Sequence, residues 1–360
     1  MRKIVLLGAT GSIGRTTLDL VRRNPEKFQI VGASAHSNFG ELEKIASKFQ
    51  IPNLLDTRGE FSATEFLKKC EPDIVLNAVS GFSGLKFSIA AGELGVDLAL
   101  ANKESLVAGG ELLTEIFRKN GGKILPVDSE HSAIFQCLAG RSDFEKIFLT
   151  CSGGPFFGKN SAELSQISVE QALAHPRWKM GAKISVDSAT LANKVLEVFE
   201  AMHLFSLRRD QIEILIHPQS IVHSMVQFRD SSVIAQISPP TMELPISLAL
   251  NFPEKIDTDC PCQNFKNLNL SFFEPDLETF RTLKILEICA EKMQNFPIVF
   301  NAANEIFVAE FLAGNLKFLQ IFELLERAIS ETKFESVDSI KKIFEIDERA
   351  RKMAITFLKK

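Results

Sequence analysis

The sequence predicts an α/β chain that opens on a parallel sheet, continues into a mixed α/β region and ends in a helical bundle. Three observations carry this. Up to about Val127, short apolar runs alternate with stretches of helical spacing. From about Phe144 strands follow one another with fewer helices between them, and beyond Leu283 the pattern is helical.

In chain order, Lys3 to Leu7 is a short branched run ending at glycines, which reads as a buried parallel strand. Arg15 to Arg23 sets Leu18 and Val21 at helical spacing, and Asn24-Pro25 closes it. Strands are expected at Phe28 to Ala33, Asp73 to Ala78, Asp97 to Ala101 and Lys123 to Val127. Helices are expected at Glu41 to Phe49, Gly84 to Leu94 and Glu111 to Lys119. The second region offers strands at 147–150, 212–216, 222–228 and 233–237, with 188–204 as its clearest helix. Phe252 to about Phe280 is rich in Pro, Asp and Asn and reads as a linker. Helices are then expected at 283–293, 304–312, 318–330, 336–344 and 347–358. The domains expected are 1–124, 125–255 with a lid at about 171–182, a linker at 256–281, and a helical domain at 282–360.

Composition excludes several classes. With 45% hydrophobic and 24% charged residues the chain is an ordinary globular one. A net charge of −4 without a basic block argues against a nucleic-acid partner. Met1-Arg2-Lys3 precedes only Ile4 to Leu7, too short for a signal peptide, and no stretch approaches the roughly 20 apolar residues of a membrane span. A cytoplasmic location is expected. The six cysteines form no Cys-x-x-Cys pair and read as buried or incidental thiols. The chain has no tyrosine, which excludes the Tyr-x-x-x-Lys acid used by short-chain dehydrogenases.

The turn Gly8-Ala9-Thr10-Gly11-Ser12-Ile13-Gly14 follows the first strand and opens a helix. That context suits a dinucleotide pyrophosphate: glycines let the backbone approach, and a helix N-terminus supplies N–H groups and a favourable dipole. An acidic residue normally ends the second strand when the cofactor is NAD. Here that strand runs into Ser34-Ala35-His36-Ser37-Asn38 with no acid before Glu41, which favours NADPH, although no arginine or lysine stands there either. Thr10, Gly11, Ser12, Ile13 and Asn38 are the residues expected to line the cofactor.

Asp128-Ser129-Glu130-His131 ends a strand on two carboxylates spaced i, i+2, which share a face in extended backbone. Hard oxygen ligands suit Mg²⁺ or Mn²⁺; the bland alternative is a solvated acidic loop. Asp187-Ser188-Ala189-Thr190 reads as a helix start with Asp187 or Ser188 as N-cap. On that helix Asn193, Lys194 and Glu197 share a face, either as a surface pair or as part of a phosphate site. His175-Pro176-Arg177-Trp178-Lys179-Met180-Gly181 holds the only tryptophan between a proline and a glycine, and reads either as a lid or as a loop packed down by its Trp. His36, His203 and His223 stand in no motif and read as structural, while His217-Pro218-Gln219-Ser220 ends a strand.

Together these segments resemble the 1-deoxy-D-xylulose 5-phosphate reductoisomerase family. The resemblance also runs through Ala101-Asn102-Lys103-Glu104-Ser105-Leu106-Val107, Pro126-Val127, Ser152-Gly153-Gly154-Pro155-Phe156, Lys183-Ile184-Ser185-Val186 and Asn301-Ala302-Ala303-Asn304-Glu305. It spans nearly the whole chain, with motifs in the family's order and spacing. It implies a Rossmann-like N-terminal domain, a V-shaped homodimer, NADPH, and one divalent cation (Mn²⁺, Mg²⁺ or Co²⁺) held by Asp128, Glu130 and Glu197. It implies that Ser152, Ser188, Asn193 and Lys194 receive the substrate phosphate, and that Lys103, Ser129 and Asn193 contact substrate hydroxyls. His175, Trp178 and Met180 belong to the closing lid on this reading. Asn102 and Glu104 stand near the nicotinamide, with Gly181 adjoining. Lys103, Asp128, Glu130 and Glu197 are the expected catalytic group, with Glu130 and Glu197 also facing substrate.

Three departures from the family pattern are visible: Val195 where glycine is usual, Pro240-Thr241-Met242-Glu243 where Pro-Asp-Met-Arg is usual, and a short stretch from about Asp56 to Glu71. Two rivals remain on the residues alone. A thioester dehydrogenase would use Cys151, the thiol beside a conspicuous motif; a dinucleotide-sensing regulator would need only the glycine turn.

Overall fold

The computed structural model describes residues 1–178 and 180–359; Lys179, in the expected lid, lies outside them. Chain contacts divide the protein into two units. One comprises Met1–Leu106, Leu113–Phe135 and Thr241–Cys262; the other comprises Val107–Leu112, Gln136–Pro240 and the chain from Gln263 onward.

The first unit is built on six parallel strands: β1 (Arg2–Leu7), β2 (Phe28–Ala35), β3 (Asn53–Asp56), β4 (Ile74–Asn77), β5 (Asp97–Leu100) and β6 (Ile124–Pro126). Their order is β3-β2-β1-β4-β5-β6, the doubly wound arrangement. The order reverses between β1 and β4, so the glycine turn after β1 lies at the switch point, where such sheets bind ligands. Ile4, Val5, Leu6 and Leu7 are fully buried, as a strand covered on both faces requires.

An edge strand and a short helix are among the elements here that escaped the periodicity. Asn53-Leu54-Leu55-Asp56 is an edge strand with only two apolar residues. Helix Ala63–Cys70 is short, held by Ser62, whose Oγ accepts the Glu65 N–H at 3.2 Å, and by buried Phe66, Leu67 and Cys70.

The sequence boundaries also differ from the contact division. A break between 124 and 125 falls inside β6. Helix Glu243–Asn251 belongs with the first unit, because Ile246, Ala249 and Leu250 share a core with Leu18, Val21 and Leu125. Arg2 donates to the Leu250 carbonyl at 2.9 Å, and Arg23 pairs with Glu243 at 2.8 Å. The unusual Glu243 is thus one half of an ion pair inside the first unit.

The second unit carries a mixed sheet ordered β10-β9-β7-β8. It comprises β7 (Phe144–Cys151), β8 (Ile212–Ile216), β9 (Val222–Phe228) and β10 (Val233–Ile237), with β7 and β8 parallel and β9 antiparallel to both β7 and β10. Four helices end the chain: Thr282–Lys292, Asn295–Leu312, Phe318–Glu331 and Ile340–Phe357. The second starts at Asn295 rather than Asn304. Phe296 to Asn304 is buried almost all round and so shows no amphipathic stripe. The two helices expected at 336–344 and 347–358 are one, entered through Ser339, whose Oγ accepts the Lys342 N–H. Among the described residues no helix is long and apolar enough to cross a membrane.

Candidate active site

The glycine turn is built for close backbone approach. Gly8 has φ +78° and a Cβ there would lie 2.5 Å from the Ala78 carbonyl; a Cβ on Gly14 would lie 2.5 Å from the carbonyls of both Gly8 and Ala9. The helix it opens, Ser12–Arg23, starts from Gly11, which brings no capping side chain. Its first N–H groups therefore face the mouth of the turn, where a phosphate fits. Asn38 precedes helix Phe39–Phe49 at the carboxyl end of β2. Although no basic residue follows β2 in sequence, β3 brings Arg58 there: its guanidinium stands 6.0 Å from the Phe39 ring centroid and pairs with Asp56. His36 Nδ1 meets Thr57 Oγ1 at 3.2 Å in the same place.

Asn102 and Glu104, expected near the nicotinamide, hold the loop after β4. Asn102 Nδ2 donates to the carbonyls of Val79 and Gly81 at 2.8 Å each, and Glu104 Oε1 accepts the Gly81 N–H at 3.2 Å. Both are buried. These contacts shape the floor of the crevice at the end of β4 and β5.

The acidic pair is not in extended backbone, as the i, i+2 argument supposed. The strand ends at Pro126 and Ser129 already begins helix Ser129–Leu138, with Glu130 in its first turn. Asp128 stands at the entrance, its carbonyl accepting the Ser132 N–H at 2.8 Å. Lys103 Nζ lies 2.7 Å from Asp128 Oδ2, and both side chains are largely buried. Burial works against charge on Asp128, but Lys103 and His131 together outweigh it and hold the carboxyl well below the usual range. A carboxylate kept ionised beside a helix start, next to a second carboxylate and the Ser129 hydroxyl, is a hard oxygen donor set. Ser129 Oγ donates to Glu130 Oε2 at 2.5 Å.

In the second unit the helix expected at 188–204 is two. Helix Ala182–Ala189 holds Asp187 and Ser188 in its last turn, not at an N-cap, and helix Ala192–Leu204 follows after Leu191 at φ 58°. The left-handed Leu191 turns the chain sharply, so Ser188 at one helix's end and Asn193 and Lys194 at the next helix's start flank one corner. Lys194, 1% exposed, donates from Nζ to the Thr150 carbonyl at 2.6 Å and to Glu197 Oε2, and Asn193 Nδ2 donates to Glu197 Oε1. Val195 is fully buried in that helix.

The same corner meets the loop after β7. A Cβ on Gly154 (φ +69°) would lie 2.6 Å from the Ser188 carbonyl, so only glycine fits. Ser152 Oγ accepts the Gly154 N–H at 3.1 Å and meets His175 Nε2 at 3.0 Å. His175 Nδ1 accepts the N–H groups of Arg177 (3.2 Å) and Trp178 (2.9 Å), so its proton sits on Nε2 and points to Ser152. Trp178 packs edge-on to His223 at 6.2 Å and Arg177 Nε donates to the Pro218 carbonyl at 3.0 Å. Met180 is partly buried, and Gly181 begins helix Ala182–Ala189. His217 stacks on Phe272 with centroids 4.7 Å apart. Thr150 and His131 take part in these networks although spacing assigned them no such role; a buried polar side chain carries no periodic signal.

A glycine turn at the switch point of a doubly wound sheet, with the Asp128 carboxylate held ionised in the same unit, defines a dinucleotide-dependent oxidoreductase; the other unit gathers serine, asparagine and lysine side chains at one corner. The family profiles agree. The 1-deoxy-D-xylulose 5-phosphate reductoisomerase profile matches residues 4–57 and 55–110, the profile of that enzyme's C-terminal domain matches 124–205, and the profile described as DXP reductoisomerase C-terminal domain matches 237–353. The chain is 41% identical to the 1-deoxy-D-xylulose 5-phosphate reductoisomerase of Thermodesulfovibrio yellowstonii, over 98% of each chain. Among solved structures it is similar to a DOX-P reductoisomerase in complex with NADPH, fosmidomycin and magnesium (TM-score 0.94, 34% identity, 100% of this chain and 98% of that one). It is also similar to the enzyme from Zymomonas mobilis in complex with NADPH (TM-score 0.89, 37% identity, 99% of each). The chain belongs to the 1-deoxy-D-xylulose 5-phosphate reductoisomerase family.

Proposed function

We propose that the two half-sites described above carry out the family reaction, with the residue roles that follow. The reaction is NADPH- and divalent-metal-dependent: the skeleton of 1-deoxy-D-xylulose 5-phosphate rearranges to a branched aldehyde, which NADPH reduces to 2-C-methyl-D-erythritol 4-phosphate. The observation that carries the reading is the corner of Ser152, Ser188, Asn193 and Lys194 beside His175, a donor cluster for a dianion.

Asp128, Glu130 and Glu197 hold the cation, which when bound supplies Lewis-acid stabilisation of charge developing on substrate oxygen. Lys103, held at Asp128, adds positive charge to the same oxygens, and Ser129 and Asn193 orient the hydroxyls. The phosphate is a remote handle whose binding energy fixes the reacting carbons and draws His175, Trp178 and Met180 over them. Thr10, Gly11, Ser12, Ile13 and Asn38 seat the dinucleotide, with Asn102, Glu104 and Gly181 toward its nicotinamide. The enzyme is a cytoplasmic homodimer on this reading; strand β10 is an open edge with Val233 and Ile234 exposed, a surface that a second copy covers. The test is NADPH oxidation with 1-deoxy-D-xylulose 5-phosphate after chelation, with and without added Mn²⁺ or Mg²⁺. Turnover restored by neither ion overturns it.

A further inference from the structure

The C-terminal helices hold none of the residues assigned above, yet two of them reach the turn that carries Ser188. Asn304, on helix Asn295–Leu312, donates from Nδ2 to Asp187 Oδ1 at 2.7 Å; Thr282, on helix Thr282–Lys292, donates from Oγ1 to the Thr190 carbonyl at 2.6 Å. Asp187 is 1% exposed, and Asn304, Thr190 and Thr282 are fully buried. Asp187 precedes Ser188 directly. Its other oxygen accepts Lys183 Nζ at 2.8 Å, which ties the last turn of helix Ala182–Ala189 to its first, just after the lid.

A helix this short has little stability of its own, and its direction is set by what grips it. Here the grip falls on the residues on either side of Ser188. The Asp187 carboxylate can only accept hydrogen bonds, so the Asn304 amide must present its NH₂ group, and the pair has one orientation. The Thr190 hydroxyl, in turn, bonds back to the Val186 carbonyl at 3.1 Å and accepts the Ala192 N–H at 3.3 Å, joining the corner to the Lys194-bearing helix.

We propose that Asp187, gripped by Asn304, is a positioning residue for substrate phosphate, and that the C-terminal bundle serves the reaction by setting the angle of the 187–194 corner. The inference rests on the phosphate role given above to Ser188 and Lys194. It gives a role in turnover to two side chains that touch neither substrate nor cofactor.

The test uses the full-length enzyme with Mg²⁺ and NADPH. Asn304→Leu removes the grip, and raises both the KM for substrate and the inhibition constant of inorganic phosphate by about tenfold, since one charge-assisted bond is lost from the support. In that variant kcat stays within about threefold of the parent, because Asn304 grips Asp187 and not a group assigned to the reacting atoms. The NADPH Kd does not change. The reciprocal pair D187N/N304D keeps an amide-to-carboxylate bond in the same gap and recovers most of the phosphate affinity; a merely space-filling role would show no such recovery. Thr282→Val, which leaves the bundle packing nearly unchanged, gives a smaller shift of the same kind and serves where Asn304→Leu does not fold. Ser188→Ala is the reference. Parental phosphate affinity in Ser188→Ala removes the phosphate role and this inference with it. A weakened Ser188→Ala beside an unchanged Asn304→Leu and Thr282→Val overturns the positioning role alone, as does a parallel loss of NADPH affinity.

Discussion

His175 Nε2 lies 3.0 Å from the hydroxyl of Ser152, while the other ring nitrogen accepts two backbone N–H groups of the lid. One imidazole therefore joins the lid to the phosphate corner. With its proton on Nε2, His175 donates to Ser152 and leaves the serine hydroxyl free to donate onward to an anion.

This has a pH consequence. Burial holds His175 below its ordinary value, so the neutral ring persists to lower pH than a free histidine does. The two lid N–H bonds to Nδ1 are therefore complete above the ordinary histidine range and are lost as pH falls through the lowered value, where Nδ1 takes a proton and can no longer accept, while Nε2–H still donates to Ser152. A pH profile of kcat/KM for wild type and His175→Gln checks this: the acid limb beyond that of the substrate phosphate belongs to wild type alone. Identical limbs in both remove the assignment.

Glu130→Gln is expected to abolish turnover and weaken metal binding, because an amide oxygen is a poorer ligand for a hard cation than a carboxylate. NADPH binding stays nearly intact, since the glycine turn is untouched. Metal titration by calorimetry and NADPH fluorescence separate the two; full turnover in this variant would refute the ligand role.

Trp178→Ala opens the lid where the indole meets His223. Catalytic efficiency is expected to fall by about tenfold or more, mainly through loss of closure over substrate. Steady-state kinetics decide it, and unchanged constants would return the loop to a packing role.

Gly14→Ala forces a methyl group to 2.5 Å from two backbone carbonyls, which cannot move without opening the turn. NADPH affinity is expected to drop by at least about tenfold. Equilibrium binding to the folded variant is the measurement, and parental affinity contradicts the turn's role.

Arg351 bridges Glu305 and Asp347 at 2.7 Å each inside the C-terminal bundle, and Asp347 is 5% exposed. Arg351→Met takes the bridging cation from two crowded carboxylates and is expected to cost about 3 kcal/mol of stability. Urea unfolding tests it. Asp347 already sits above the usual carboxylate range because of burial, so part of the loss is recovered at low pH, where it protonates.

How much of this was legible in the chain depends on the range of the signal. The strands β1, β2, β4, β5 and β6 announced themselves because strands buried on both faces read as continuous apolar runs. The edge strand β3 and helix Ala63–Cys70 did not, being short and weakly apolar. A good capping sequence at Asp187-Ser188 misled, because the backbone there continues a helix begun at Ala182 and breaks only at Leu191. Local preference was overridden by the buried bonds to Asn304 and Thr282, which lie about a hundred residues away.

By itself the sequence determined the glycine turn and its strand-to-helix setting, the absence of a tyrosine acid, the family and, with it, the reaction. Those depend on residue type and on neighbours within a few positions. Only the tertiary structure decided that Glu130 stands on a helix, that Glu243–Asn251 completes the first core, that Arg58 reaches the end of β2 and that Asp187 is gripped from the C-terminal bundle. Each of these is a contact between distant positions, made by side chains whose burial is repaid only once the whole fold has brought their partners within hydrogen-bonding or packing distance.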